Sequence, residues 1–144
     1  MIKFLSTEEV LPLRNIILRE GKLKDEECIF VNDDAMDTFH LGYFHDEQLV
    51  CVVTFHHQSH PDFVGDAFQL RGMATATDFQ GKGFGNRLVN FAIVYLRGKK
   101  VNFIWCNARQ KAFKFYHSLG FEFISEEFDI PGIGPHKTMY LKIQ

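Results

Sequence analysis

The segment 70–88 contains the residues best suited to chemistry: it reads LRGMATATDFQGKGFGNRL and passes from a strand pattern through glycines into a helix pattern. Gly81, Gly83 and Gly85 allow positive φ and a close approach of the backbone, so that successive backbone N–H groups can point at one phosphate. The N-terminus of the following helix adds about half a positive charge. Lys82 and Arg87 add local positive charge. The segment therefore predicts a phosphate-binding turn.

Two common nucleotide motifs do not fit this turn. A dinucleotide fingerprint, GxGxxG, requires glycine at the place held by Asn86, and no acidic ribose ligand follows on a second strand. A nucleoside-triphosphate loop requires a hydroxyl residue after its lysine, but Lys82 is followed by Gly83. An ordinary glycine-rich turn is the remaining alternative, although each unused glycine would weaken the helix start by up to ~1 kcal/mol.

Two sequence blocks resemble the GNAT N-acetyltransferase superfamily, in particular its small single-domain bacterial members. Gln80–Gly85, QGKGFG, is similar to the family signature Q/R-x-x-G-x-G/A. Asn107–Phe121, NARQKAFKFYHSLGF, is similar to a later block in which Asn, Ala, a Phe-Tyr pair and Gly-Phe recur. The close match covers residues 70–121. The resemblance implies an enzyme that uses acetyl-CoA as cosubstrate and acetylates an amine.

The resemblance also implies roles for individual residues. The backbone of Met73, Ala74 and Thr75 would pair with the pantetheine arm, since a strand separated from its neighbour offers unpaired N–H and C=O groups. Ordinary sheet pairing is the alternative. Asn107 and Tyr116 would face the thioester. The pyrophosphate would be held by the amides of the turn, namely Gln80, Gly81, Lys82, Gly83, Phe84, Gly85 and Asn86.

Tyr116 is the expected general acid, which protonates the departing CoA thiolate. A phenol pKa near 10 lies suitably above that of a thiol, near 8.5. Because a thiolate is already a fair leaving group, the rate gain should be modest. An aromatic residue one turn after Ala112 also suits a place in the core, and this alternative stays open.

The general base is harder to assign. A primary amine with a pKa near 10.4 is neutral in about one molecule in 2,500 at pH 7, so a base must take its proton. The candidates are His56, His57, His60, Asp66 and His136. His136 is favoured because its Pro-Gly…Pro-His segment resembles the closing hairpin of some small bacterial members of the family. An exposed or substrate-positioning histidine is the alternative.

We expect neither a metal site nor a covalent acyl-enzyme. His56 and His57 are adjacent on a strand and point to opposite faces, so they cannot easily share one ion. Cys106 ends an apolar strand with no evident base, which predicts a buried inert thiol. The acetyl group is therefore expected to move directly to the amine.

The elements that must position these residues alternate along the chain. Their order, with strands and helices interleaved to the end, predicts an α+β fold with a mixed, mostly antiparallel sheet flanked by helices on both faces. Ser6 and Glu9 have capping-box spacing at the start of the first helix. The predicted helices are 7–19, 83–97 and 108–119, and the predicted strands are 38–44, 48–57, 67–75, 101–106, 121–128 and 137–143, with a loop over 131–135.

Composition bounds the remaining possibilities. The 144 residues predict one domain over 1–144, which the resemblance implies is an N-acetyltransferase domain, and the net charge of −2 disfavours nucleic-acid partners. No apolar run predicts a membrane span, and three unpaired cysteines predict a reducing cytoplasm. We expect a small-molecule amine as acceptor and a homodimer as the assembly. The alternatives are a non-catalytic acyl-CoA sensor and an acetyltransferase of protein lysines or N-termini.

Overall fold

The computed structural model describes residues 1–144, which form two compact units. The first unit consists of Met1–His57 and Leu70–Phe91, and the second consists of Gln58–Gln69 and Ala92–Gln144. The strands are β1 (Ile2–Leu5), β2 (Phe39–His45), β3 (Gln48–His57), β4 (Ala67–Thr75), β5 (Phe103–Arg109), β6 (Glu122–Phe123), β7 (Phe128–Ile130) and β8 (Gly134–Lys142). The α-helices are α1 (Thr7–Leu13), α2 (Phe84–Gly98) and α3 (Phe113–Ser118).

The strands form a mixed sheet in the order β1-β2-β3-β4-β5-β8-β6, with β7 paired to β8. The pairing of β4 with β5 is parallel, whereas β1–β2, β2–β3, β5–β8, β6–β8 and β7–β8 are antiparallel. The predicted α+β class and the mostly antiparallel sheet are therefore confirmed. The turn between β2 and β3 places Asp46 and Glu47 at φ 49° and 65°, as a tight hairpin requires.

The first helix begins as predicted and ends differently. The Ser6 hydroxyl accepts from the Glu9 amide at 3.3 Å, and the Glu9 carboxylate accepts from the Ser6 amide at 2.9 Å, which completes the capping box. Helix α1 ends at Leu13, and Arg14–Leu18 continues as a wider π-helical turn. Pro12 lies inside α1 and has no N–H to donate, so the regular ladder loses a bond there.

The structure shifts the predicted elements of the second unit. Strand β5 covers Phe103–Arg109 instead of 101–106, because its pairing with β8 continues as far as Arg109 opposite His136. This pairing keeps residues 108 and 109 extended, so the third helix cannot begin at 108. A 3-10 turn over Gln110–Ala112 precedes α3, which is confined to Phe113–Ser118.

The C-terminal strands also differ from the prediction. The predicted strand 121–128 contains only β6 at its start and the first residue of β7 at its end. Strand β8 begins at Gly134, before the predicted start at 137, and so includes two residues of the predicted loop. Strand β1 was not predicted. None of the helices combines the length and the apolar character needed to cross a bilayer.

Candidate functional site

Strand β4 carries the predicted pantetheine edge. Its registered pairing with β5 covers only Ala67–Gln69, so the backbone of the later residues has no strand partner on that side. Gly72 lies at φ 64°, which interrupts the regular strand geometry at this point. The Thr75 carbonyl accepts a hydrogen bond from the Gln80 side chain at 3.0 Å. The backbone at Met73 and Ala74 thus offers N–H and C=O groups with which an amide-bearing ligand can pair.

The glycine turn opens directly in front of α2. Gly81 and Gly83 lie at φ 75° and 84°, and a Cβ atom built on either one would meet no other atom within 4 Å. Gly85 is different, because α2 begins at Phe84 and Gly85 is part of its first turn. Gly81 and Gly83 thus use the positive φ that glycine allows, whereas Gly85 belongs to the helix.

The N-terminus of α2 suits an anion. The helix is 15 residues long and has no acidic residue in its first turn. Its first amides have no carbonyl partner inside the helix and add to its positive end. Gln80, Lys82 and Gly83 are exposed. The residues predicted to hold a pyrophosphate thus lie together around one open turn.

Tyr43 supports this turn and was missed by the sequence analysis. Its ring stacks on the buried Phe84 with the centroids 4.5 Å apart, and its hydroxyl accepts from Arg87 Nη1 at 2.7 Å. Tyr43 lies on β2, more than 40 residues before the helix, so no local spacing in the sequence could have indicated the contact. The stack fixes the direction in which α2 begins.

In the second unit, Asn107 and His136 lie on the paired strands β5 and β8. Asn107 is exposed, and its Oδ1 accepts from the Thr138 hydroxyl at 2.9 Å, which leaves its amide N–H groups to donate elsewhere. His136 is 4% exposed, and its Nδ1 lies 2.8 Å from the Gly134 carbonyl. A carbonyl only accepts, so Nδ1 donates and Nε2 of the neutral ring carries the lone pair.

Tyr116 is held by aromatic packing on α3. It is 6% exposed, and its ring lies 5.0 Å from Phe115 and 5.4 Å from Phe121 between centroids. Its carbonyl accepts from the amides of Leu119 and Phe121 where the helix ends. This packing fixes the ring, as both the core role and the acid role require.

A cleft of about 560 Å³ opens beside the His136 strand. It is lined by Arg109, Gln110, Lys111, Ile133 and Pro135. Pro135 immediately precedes His136 in the chain. Arg109 on β5 is the register partner of His136. The second unit therefore has an open space with two cationic residues next to the favoured base.

The other predicted bases have structural partners. His56 is 2% exposed with Nε2 at 2.9 Å from Asp33, whereas His57 is exposed with Nδ1 at 3.0 Å from Asp37. The two rings therefore occupy opposite faces, as predicted. His60 Nδ1 accepts from the Asp62 amide at 3.1 Å. The backbone amide of Asp66 donates to Asn102 Oδ1 at 2.9 Å, a bond that does not involve the Asp66 carboxylate.

The cysteines are unsuited to nucleophilic chemistry. All three are buried, and burial raises the pKa of Cys51 to about 11. Burial raises the pKa of Cys106 far above its usual range. Because the thiolate is the reactive form, burial disfavours nucleophilic chemistry at these thiols. The predicted burial of Cys106 is confirmed, and its chemical inertness stays a prediction.

Comparisons with known proteins agree with this geometry. Residues 7–121 match the model of the acetyltransferase (GNAT) family. The chain is 38% identical over 140 residues to the uncharacterized N-acetyltransferase YitI of Bacillus subtilis (strain 168), covering 96% of this chain and 93% of that protein. An aminoglycoside 6'-N-acetyltransferase complexed with coenzyme A shares the fold with a TM-score of 0.79 at 12% identity, over 100% of this chain and 97% of that one. Escherichia coli ElaA gives 0.75 at 17% identity, over 97% of each chain.

Proposed function

The chain belongs to the GNAT acetyltransferase family and is an N-acetyltransferase, and we propose that it transfers an acetyl group directly from acetyl-CoA to a primary amine of a small molecule. One observation carries the choice of cosubstrate. An open glycine turn, at the N-terminus of a helix without acidic residues in its first turn, follows a strand edge that lacks a partner. This order of features suits a ligand with a phosphate at one end and amides along its arm.

The residues of the first unit fit such a ligand. Backbone groups at Met73, Ala74 and Thr75 would pair with the amides of the pantetheine arm. The amides of Gln80–Asn86 would hold the pyrophosphate, and Lys82 would add charge. Open space in front of Gly81 and Gly83 gives the phosphates room to approach the backbone. Asn107 would donate its amide N–H groups near the thioester.

Acetyl-CoA supplies the acetyl thioester when bound. His136 Nε2 takes the proton of the acceptor ammonium, directly or through water, because its Nδ1 already donates to Gly134. The neutral amine nitrogen then forms a bond to the acetyl carbon, and the carbon–sulfur bond breaks. The Tyr116 phenol gives its proton to the departing sulfur, and the resulting phenolate recovers a proton from the acylated nitrogen through water, which leaves the neutral amide. The proton held by His136 is released to solvent. His136 and Tyr116 are thus the proposed base and acid.

The test measures thiol release from acetyl-CoA by the purified chain against three acceptor sets: pooled small amines, a peptide with a free N-terminus, and an N-blocked peptide containing lysine. Calorimetry measures CoA binding in parallel. We expect CoA binding and turnover with at least one small amine, well above that with either peptide. Exclusive turnover of a peptide would overturn the small-molecule acceptor. Absence of CoA binding by folded protein would overturn the cosubstrate.

A further inference from the structure

A buried ion-pair network lies in the first unit. Arg14 is 1% exposed, and its guanidinium donates to both oxygens of Asp33 at 2.6 and 3.0 Å. Asp33 is also contacted by His56 Nε2 at 2.9 Å and accepts from the Phe30 amide at 2.7 Å. Burial opposes ionisation of Asp33, but these hydrogen bonds outweigh it and hold its pKa well below the usual range. Both oxygens of the Asp33 carboxylate therefore have hydrogen-bond partners within the chain.

Arg71 lies next to this network without a carboxylate in hydrogen-bond contact, and the charge of Asp33 acts on it only at longer range, opposed by that of Arg14. Its Cζ is 4.0 Å from the centre of the Phe30 ring, which also contacts the Arg14 guanidinium at 3.9 Å. Arg71 is half-buried on β4 and makes no hydrogen bond or salt bridge with a carboxylate of the chain. Asp33 cannot serve it, because Arg14, His56 and the Phe30 amide occupy both carboxylate oxygens. The first unit thus holds one partly desolvated guanidinium with donors to spare.

We propose that Arg71 binds a carboxylate of the acceptor, so that the acceptor is a small molecule with both a primary amine and a carboxyl group. This inference rests on the proposed function. A guanidinium presents paired N–H donors that match the two oxygens of a carboxylate. The Phe30 ring holds the plane of the guanidinium and so reduces the rotamer freedom lost on binding.

The position of Arg71 along β4 separates this anion from the phosphates of the cosubstrate. Arg71 is two residues before Met73, or about 7 Å along a strand, and four residues before Thr75, or about 13 Å. The turn proposed for the pyrophosphate begins still later, at Gln80. An anion on Arg71 therefore lies towards the acyl end of the pantetheine edge, where the amine must arrive.

If Arg71 had only a structural role, in which it packs on Phe30 and stabilises the loop against β4, a different result would be expected. Such a role would affect folding and every acceptor equally. A carboxylate-binding role affects only acceptors that carry the carboxylate, and it survives in part when lysine keeps the charge without the paired donors.

The experiment compares acceptors that differ only in the carboxylate. Glycine, L-phenylalanine and 4-aminobutyrate are each paired with their primary carboxamides, and kcat/KM is measured by thiol release for wild type, Arg71→Met and Arg71→Lys. We expect Arg71→Met to reduce the acid-to-amide ratio of kcat/KM by about 10- to 100-fold for the preferred pair, with Arg71→Lys in between. Differences in amine pKa cancel, because the same pair is compared in each protein.

Two controls keep the result interpretable. Arg19→Gln removes an exposed cation from the same unit and should leave the ratio unchanged. Calorimetry on the CoA-loaded protein with N-acetyl-L-phenylalanine and its carboxamide gives a readout that does not require turnover. Arg71→Met should keep its CoA affinity and lose the preference for the carboxylate.

The outcomes separate the two proposals. An acid-to-amide ratio and a binding preference that are the same in wild type and Arg71→Met would overturn the inference while leaving the acetyltransferase proposal intact. Loss of CoA binding in wild type would overturn the proposed cosubstrate. In that case calorimetry without CoA, comparing wild type with Arg71→Met for N-acetyl-L-phenylalanine and its carboxamide, tests the role of Arg71, and an equal preference in the two proteins would overturn it.

Discussion

At the scale of residues, the side chains that pack around the proposed site have contact partners that are distant in the sequence. Gly81 and Gly83 could be assigned from spacing alone, because their role depends on local backbone freedom. The bond from Arg14 to Asp33 and the stack of Tyr43 on Phe84 could not, because each joins residues from different elements. The sequence therefore predicted the backbone conformation of the glycine turn better than the side-chain contacts around it.

Tyr116→Phe tests the proposed acid. The substitution keeps the ring that packs between Phe115 and Phe121, so folding should be little changed. Turnover should fall by roughly 10- to 100-fold, because a thiolate can leave without a proton donor. The affinity for acetyl-CoA should barely change. Wild-type kcat should also decline on an alkaline limb as the phenol ionises, and the variant should lack this limb.

Tyr140→Phe is the matched control, since Tyr140 packs on aromatic rings of the same unit and has no proposed proton role. It should keep both the wild-type rate and the alkaline limb. Identical rates and pH profiles for wild type and Tyr116→Phe would assign Tyr116 to the core and leave thiolate protonation to solvent.

At the scale of elements, prediction succeeded where one pattern dominates a segment. Strands β3 and β4 occur at their predicted bounds, and α2 is displaced by a single residue at each end. Local patterns failed where tertiary pairing decides the backbone. The pairing with β8 extends β5 into residues 107–109, which have helix-compatible sequence. Strand β1 has four residues and no clear alternation of burial, so it carries no periodic signal.

Gly83→Asp tests the element proposed to hold the phosphates. A carboxylate at the start of α2 would repel the ligand, and we expect the Kd for CoA to increase by about 100-fold. Gly83→Asn is the matched control, because it imposes the same strain at φ 84° and nearly the same volume without the charge. The Kd of Gly83→Asn for CoA should be at least about 10-fold lower than that of Gly83→Asp. Calorimetry on both variants, with thermal unfolding to verify the fold, measures the difference. Equal affinities of folded Gly83→Asp and wild type would remove the phosphate-turn assignment.

At the scale of the whole molecule, the relevant properties are the net charge of the chain and its division into two compact units. The net charge of −2 gives no general attraction for a polyanion, so electrostatic attraction of the CoA phosphates must come from local groups such as those of the turn. Strand β4 and helix α2 each continue from one unit into the other, since the boundaries fall after Gln69 and after Phe91. The single domain over 1–144 stays a prediction, and the continuity of these two elements is the reason to retain it.

The stability of the whole molecule should fall with acid in two stages. Burial lowers the pKa of His40, so the unfolded state takes up a proton first as the pH falls below about 6.5, and stability decreases there. The pKa of Asp33 is also depressed in the folded state, so its contribution is complete above about pH 4 and is lost as the pH falls further. Urea denaturation at a series of pH values measures both stages.

Asp33→Asn should abolish the loss of stability below about pH 4. It should also reduce the free energy of unfolding at pH 7 by about 3–5 kcal/mol, because Arg14 remains buried without its counter-ion. The double variant Arg14→Met with Asp33→Asn removes both charges and should recover part of that loss. If Asp33→Asn does not fold, the double variant still reports whether the lower stage disappears. A wild-type protein whose free energy of unfolding is constant from pH 7 to pH 4 and below would show that the buried network does not set the acid stability.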